Sequence, residues 1–225
     1  MFLSKPKLTD LPKFELPRDE LIRRSRILII DDEEPGLRRD LEQAGFSVNY
    51  QRDVDKSAMQ LIEKPWFDLV LLDFSGVGRV LGPDQGLAIL RHMKRVNPSV
   101  VVLSYTSKAL SSEHADFYRL TDGVLPKDAG IGDSFESIER ALRKAHSVEN
   151  LWRSFLATMG AAPGSKDDLD LQATFVRAVG KKRKQKALQD HISTLLTSDE
   201  ARAAALAVLG KLLELGFKAM VHTGG

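Results

Sequence analysis

Five short apolar runs, each followed by a stretch with helical periodicity, constrain this chain more than any other feature. The runs are Ile27–Ile30, Phe46–Val48, Leu69–Leu72, Val100–Leu103 and Val124–Leu125. Several are apolar at every position, as strands covered on both faces are. Helix-like stretches lie near 35–44, 53–64, 85–96, 110–120 and 133–149. In the third, Leu87, Ile89, Leu90 and Met93 take one side and Arg91, Lys94 and Arg95 the other, an amphipathic period. Strand then helix, repeated five times, predicts an α/β domain over 26–145: a doubly wound parallel sheet with helices on both faces.

The flanks follow other rules. Residues 1–25 read as a proline-containing arm, because Pro6, Pro12 and Pro17 restrict their neighbours and discourage helix. After residue 146 the strand signals stop. Leu151, Trp152, Phe155 and Leu156 continue a helical stripe, read as an extension of the fifth helix. A loop is expected around Pro163 and Gly164. Asp168 to Leu196 reads as helical, with a break or kink at Gly180 and the basic run after it. The last helix is expected to open on Thr197, with Glu200 at capping-box spacing, and to stop at Gly216. Residues 146–225 are therefore expected to form a small all-α output or dimerisation region, closed within one chain or completed by a second in a homodimer.

Composition excludes several classes. Hydrophobic residues make up 43% and charged residues 28%, so neither general disorder nor a fibrous repeat fits. There is no cysteine, hence no disulfide, thiolate metal site or thiol nucleophile. No apolar run approaches the roughly 18 to 20 residues that span a bilayer, and no secretory pattern opens the chain. A cytoplasmic location with no membrane partner is the default expectation. The net charge of +2 is uneven: 26–145 carries 16 basic against 19 acidic residues, and 146–225 carries 11 against 8.

In open parallel α/β sheets, ligands sit beyond the carboxyl ends of the strands. The first strand ends in Asp31 and Asp32, the third in Asp73, the fourth in Ser104, Tyr105 and Thr106, and the fifth runs into Lys127. Three carboxylates do not crowd together ionised without a cation. Oxygen ligands suit a hard divalent ion, Mg²⁺ or Mn²⁺. A lysine and a hydroxyl beside them suit a phosphoryl group, whose transfer needs mainly positioning and charge neutralisation. A carboxylate can itself be the nucleophile.

In this order, Ile27-Leu28-Ile29-Ile30-Asp31-Asp32-Glu33, Asp68-Leu69-Val70-Leu71-Leu72-Asp73, Val101-Val102-Leu103-Ser104-Tyr105-Thr106 and Asp122-Gly123-Val124-Leu125-Pro126-Lys127 resemble the receiver domain of bacterial two-component response regulators. The resemblance covers about half the chain. It implies a flavodoxin-like sheet of order 2-1-3-4-5 and a response regulator in a phosphorelay. Asp73 would accept phosphate from the phosphohistidine of a sensor histidine kinase or phosphotransfer protein. Asp32 would bind Mg²⁺ directly and Asp31 through water, with Asp73 and the backbone carbonyl of Ser75 completing the metal site. Lys127 would pair with the acceptor and then with the phosphoryl oxygens. Thr106 would supply the phosphoryl-binding hydroxyl, with Ser104 as its rival. Self-phosphorylation and autodephosphorylation are implied, and turnover of an external substrate is not.

Three departures stand out against that family. The segment Asp73 to Gly86 is about five residues longer than usual and is expected to be more flexible. The usual aromatic switch residue three before the lysine is Val124. The usual proline after the lysine is absent, since Pro126 precedes Lys127 and Asp128 follows. A receiver-like scaffold or dimerisation protein without phosphoryl chemistry is the competing reading.

Other signals are weaker. Gly76, Gly78 and Gly82 are misspaced for a dinucleotide loop. A haloacid-dehalogenase-like phosphatase would want aspartate where Ser75 stands. His191 sits on an expected helix as a phosphotransfer histidine would, without that family's flanking residues. Lys181, Lys182, Arg183 and Lys184 offer possible nucleic-acid contacts, the basis of a lesser reading as a DNA-binding regulator. The alternative for this run is a solvated face or a helix C-terminus.

Overall fold

In the computed structural model, residues 5–63, 66–97, 100–107 and 114–222 are described. The chain forms two compact units. One is Leu16–His146; the other combines Met1–Glu15 with Ser147–Gly225.

The first unit is an α/β sheet domain. Its strands are β1 (Arg26–Ile30), β2 (Ser47–Gln51), β3 (Leu69–Leu72), β4 (Val101–Thr106) and β5 (Gly123–Pro126). All neighbours pair in parallel, in the order β2-β1-β3-β4-β5. This is the flavodoxin-like order, with its switch point between β1 and β3. The helices are α1 (Arg18–Arg24), α2 (Leu37–Gln43), α3 (Lys56–Glu63), α4 (Gly86–Val96), α5 (Ala115–Leu120) and α6 (Ile131–Ala145). Leu28, Ile30, Val70, Leu72 and Val102 pack with Val54, Ile89, Leu90, Met93 and Phe117 in one core. Central strands β3 and β4 are buried at every residue, whereas β2, at the sheet edge, is only partly covered. The expected strand at Phe46–Val48 therefore lies slightly later. Phe46 is buried before the strand begins.

The second unit is all helical: α7 (Val148–Met159), α8 (Lys166–Ala178), α9 (Lys182–Leu195) and α10 (Asp199–His222). Trp152 contacts Phe155 and Phe175, with ring centroids 5.2 and 5.4 Å away. Each such buried aromatic contributes roughly 1.5–3 kcal/mol by area.

Several expectations change. Helix 133–149 does not run on into Leu151. It ends at Ala145, and Ser147 starts a new helix by accepting from the Asn150 N–H at 3.1 Å. Gly180 (φ +73°) separates α8 from α9. The last helix is capped by Ser198, not Thr197: its hydroxyl accepts from the Ala201 N–H at 3.4 Å. Nor does that helix stop at Gly216, which is buried inside α10; a Cβ there would lie 3.1 Å from Val179. Its role is close packing. Residues 1–25 also do not behave as one arm. The helix α1 starts directly after Pro17, which occupies a position where a missing N–H costs nothing. Residues 5–15 instead join the helical unit: the Leu8 N–H donates to Gln172 at 3.2 Å, and Phe14 stacks near His222. Of the stretch expected near 110–120, residues 110–113 lie outside the described residues.

Candidate functional site

The C-terminal sheet edge brings together Asp31 and Asp32 after β1, Asp73 after β3 and Lys127 after β5. One carboxylate oxygen from each of the three aspartates lies within 4.8 Å of the other two. Lys127 Nζ lies 2.8 Å from Asp73 Oδ2 and 2.7 Å from Asp31 Oδ2. The contact to Asp73 is a hydrogen bond. The contact to Asp31 lacks hydrogen-bond alignment, so Asp31 Oδ2 is a fully buried carboxylate oxygen with a charge beside it and no directed donor.

The electrostatics follow from burial. Burial pushes the Asp31 carboxyl above its ordinary range, against the opposing pull of Lys127 and of the Glu33 N–H. Lys127 is pushed down by burial, but its attraction to the Asp31 and Asp73 carboxylates outweighs that and holds it above the ordinary lysine value. It stays an ammonium. Burial, then Asp31, raise the Tyr105 phenol.

Asp32 is partly exposed, and its carboxylate packs against the backbone at Gly76. Gly76 has φ +81°, and a Cβ there would fall 2.1 Å from Asp32 Oδ2. The chain passes so close to the carboxylate that no side chain fits. Arg52 Nε donates to the Asp32 carbonyl at 3.1 Å and fixes its backbone. The Ser75 N–H donates to Asp73 Oδ1 at 3.3 Å.

The long β3–α4 segment is tethered, against the expectation of a more flexible loop. Val77 is fully buried in the sheet core. The Gly76 N–H donates to Gln85 Oε1 at 3.0 Å, and the Gly78 N–H donates to the Asp53 carboxylate.

On β4, Ser104 lies opposite Leu72, and Thr106 ends the strand. Both are buried, and among the described residues the Ser104 hydroxyl has no hydrogen-bond partner. The Lys127 N–H donates to the Thr106 carbonyl at 2.9 Å, tying β5 to the end of β4. The described peptide bonds are all trans. Val124 sits opposite Ser104. Sequence reasoning passed over Tyr105, whose ring centroid lies 5.5 Å from Lys127 Nζ. Its place next to Thr106 was the only signal.

The basic run belongs to the helical unit. Lys181 precedes α9, and Lys182, Arg183 and Lys184 fill its first turn, exposed and with no acidic neighbour there. This corrects the reading as a helix C-terminus, because a helix N-terminus is the end where cations are unfavourable. His191 lines a cavity of about 470 Å³ with Asp167, Asp170 and Leu195.

No family model and no curated protein matches this chain. Solved structures do. Over about half its length the chain is similar to receiver domains of response regulators. One is a CheY-like receiver domain protein from Methanospirillum hungatei JF-1, with 25% identity, 54% of this chain and 95% of that chain covered, and a TM-score of 0.46. Another is the receiver domain of HemR from Leptospira biflexa, with 24% identity, 52% and 94% covered, and a TM-score of 0.43. NtrX from Brucella abortus, in complex with ATP, matches at 22% identity over 69% of this chain and 35% of its own length, with a TM-score of 0.47. Among the described residues, no helix is long and apolar enough to cross a membrane.

Proposed function

We propose that this protein is a response regulator whose Asp73 accepts a phosphoryl group, with a divalent cation held by Asp31, Asp32, Asp73 and the Ser75 carbonyl. The observation that carries this reading is the three-carboxylate cluster braced by Lys127. The fully buried Asp31 Oδ2 has Lys127 Nζ at 2.7 Å but no directed donor, and two further carboxylates stand beside it, so a cation would offset the crowding of like charges. Oxygen-only ligands favour Mg²⁺ or Mn²⁺. When bound, such an ion supplies charge neutralisation at the phosphoryl oxygens.

The chain's own residues do the rest. An Asp73 oxygen attacks phosphorus, the new O–P bond forms, and the P–N bond of a donor phosphohistidine breaks with its electron pair on the imidazole. Lys127 already lies on Asp73 and needs only a small shift to meet the transferred oxygens. Thr106 is the better hydroxyl, since it lies at the open end of β4 and Ser104 sits one position below the acceptor's level. With Val124 in the usual aromatic position, the readout would pass through other residues to helical interactions of the second unit, including a dimer.

The test is intact mass after incubation with acetyl phosphate and Mg²⁺. The expected result is one added phosphoryl group, absent in Asp73→Asn and absent without metal. No addition to folded wild-type protein would sink this reading in favour of a receiver-like scaffold.

A second reading concerns the basic turn of α9. Three cations in the first turn, with a fourth just before it and no acidic residue there, favour a polyanionic partner such as DNA. Binding to duplex DNA that weakens steeply with salt, and is lost in Lys182→Glu/Lys184→Glu, is the expected outcome. Affinity that ignores both changes would remove it.

A further inference from the structure

The β3–α4 segment carries a cation that the chemistry above leaves unused. Arg79 opens the short 3-10 helix Arg79–Leu81, and its Nη2 lies 4.0 Å from Asp32 Oδ2. The two are the open side of the cluster: the Arg79 side chain is 70% exposed and that of Asp32 41%, against 0% for Asp31 and 11% for Asp73. The base of Arg79 is fixed by the buried Val77 and by the bonds of Gly76 and Gly78 to Gln85 and Asp53. An exposed guanidinium on an anchored backbone, held among the described residues only by this long contact to Asp32, thus stands at the mouth of the acceptor site. Lys127 braces the other two carboxylates, Asp31 and Asp73, from within.

The two cations differ in what they can give up. Lys127 cannot leave Asp31 without exposing a buried charge to no partner. Arg79 can leave Asp32 easily, since an exposed pair of this kind shifts an equilibrium only about two- to fivefold. A guanidinium's planar fork suits the paired oxygens of a phosphoryl group better than a single carboxylate oxygen at 4.0 Å.

We propose that Arg79 is a positioning residue for the phosphoryl donor: it pairs with Asp32, gives Asp32 up when a divalent ion binds, and then holds the non-bridging oxygens of a dianionic phosphoryl donor at the mouth. This rests on Asp73 being the acceptor. With an acyl phosphate, the Asp73 O–P bond forms as the acyl O–P bond breaks, and the carboxylate leaves with the electron pair. Arg79 gives and takes no proton in this step.

Two readouts on the whole protein test it. Mn²⁺ binding, followed by the electron paramagnetic resonance of the free ion, is expected to tighten about threefold in Arg79→Ala, because a competing cation is gone. Phosphorylation by acetyl phosphate at saturating Mg²⁺ is expected to need about tenfold more donor for half-maximal rate, because a charge-assisted contact is lost. Arg79→Lys should recover part of the second effect. A purely structural role would weaken both measurements together. Unchanged donor dependence with an active wild type would overturn the proposal and leave Asp73 phosphorylation standing. An inactive wild type overturns both. Unchanged or weaker Mn²⁺ binding would overturn the competition at Asp32. A circular dichroism spectrum matching wild type guards against misfolding.

Discussion

Each unit of this protein buries an aspartate, and the two are handled in opposite ways. In the sheet unit, Asp31 has no exposure, one oxygen without a directed donor, and two more carboxylates beside it. Burial holds its carboxyl above the ordinary range. In the helical unit, Asp168 is 3% exposed. It accepts from Trp152 Nε1 at 2.9 Å, Gln172 Nε2 at 2.8 Å and the Gly164 N–H at 2.7 Å. Burial works to raise it, and those three donors more than offset this, so its carboxyl lies below the ordinary range. Burial alone therefore does not mark a functional carboxylate. What separates the two is whether the fold has finished solvating them. Asp168 is completed by neutral donors and holds helices together. Asp31 has the Lys127 ammonium beside its inner oxygen without an aligned hydrogen bond, in company with like charges, and that is the arrangement that suits a cation.

The contrast is breakable from its largest consequence downward. Asp168→Ala removes the acceptor of the buried Trp152 Nε1–H and of two part-buried donors, and a loss of about 2 kcal/mol in the helical unit is expected. The chain has two tryptophans, Trp66 in the sheet unit and Trp152 in the helical one. Denaturant unfolding of a Trp66→Phe background would report the loss through Trp152 alone. Gly76→Ala comes next. It forces a Cβ onto Asp32 at φ +81°, so a cost of about 2 kcal/mol is expected, together with weaker Mn²⁺ binding in a direct titration.

Asp31→Asn should do the reverse of Asp168→Ala. With chelator present it is expected to raise sheet-unit stability, since a carboxylate disfavoured by burial disappears while Lys127 keeps Asp73 as its partner. Metal binding should be lost at the same time. A variant that is less stable would place Asp31 with the structural carboxylates. The smallest effect is in pH. A carboxyl held low in the fold stabilises above its unfolded pKa, and that contribution is lost as pH falls through the lowered folded value. The unfolding midpoint of the helical unit should thus fall on acidification below the ordinary aspartate pKa. The slope should flatten in Asp168→Asn, and an unaltered slope would remove Asp168 from that role.

The same contrast explains what was legible in the sequence. Asp31, Asp32, Asp73 and Lys127 were readable because strand ends in a parallel sheet share an edge, and alternating strands and helices announce such a sheet. The order of the strands came from the resemblance and agrees with the pairing in the structure. Asp168 was not readable, since its donors come from α7, α8 and the loop before α8, and only packing brings them together. The Ser147 and Ser198 caps were missed because long apolar stripes hide short breaks. Gly216 misled for a related reason: a glycine that ends a helix and a glycine that lets another segment approach it look alike until Val179 is in place. Arg79 and Tyr105 are contacts of side chains from separate loops and strands, and no spacing encodes them.

The helical unit is built from both ends of the chain, with the sheet unit inserted between residues 15 and 147. Within the sheet unit, Arg143 Nη1 donates to the Leu16 carbonyl at 3.0 Å, so folding brings the two points of insertion together. The sheet domain is thereby a clasp. While it is folded, the N-terminal segment and helices α7 to α10 meet as pieces joined by a short effective loop. If it unfolds, the same pieces must close a loop of more than a hundred residues, at an entropic cost on the order of 2 kcal/mol. Chain connectivity by itself therefore links the stability of the helical unit to that of its guest.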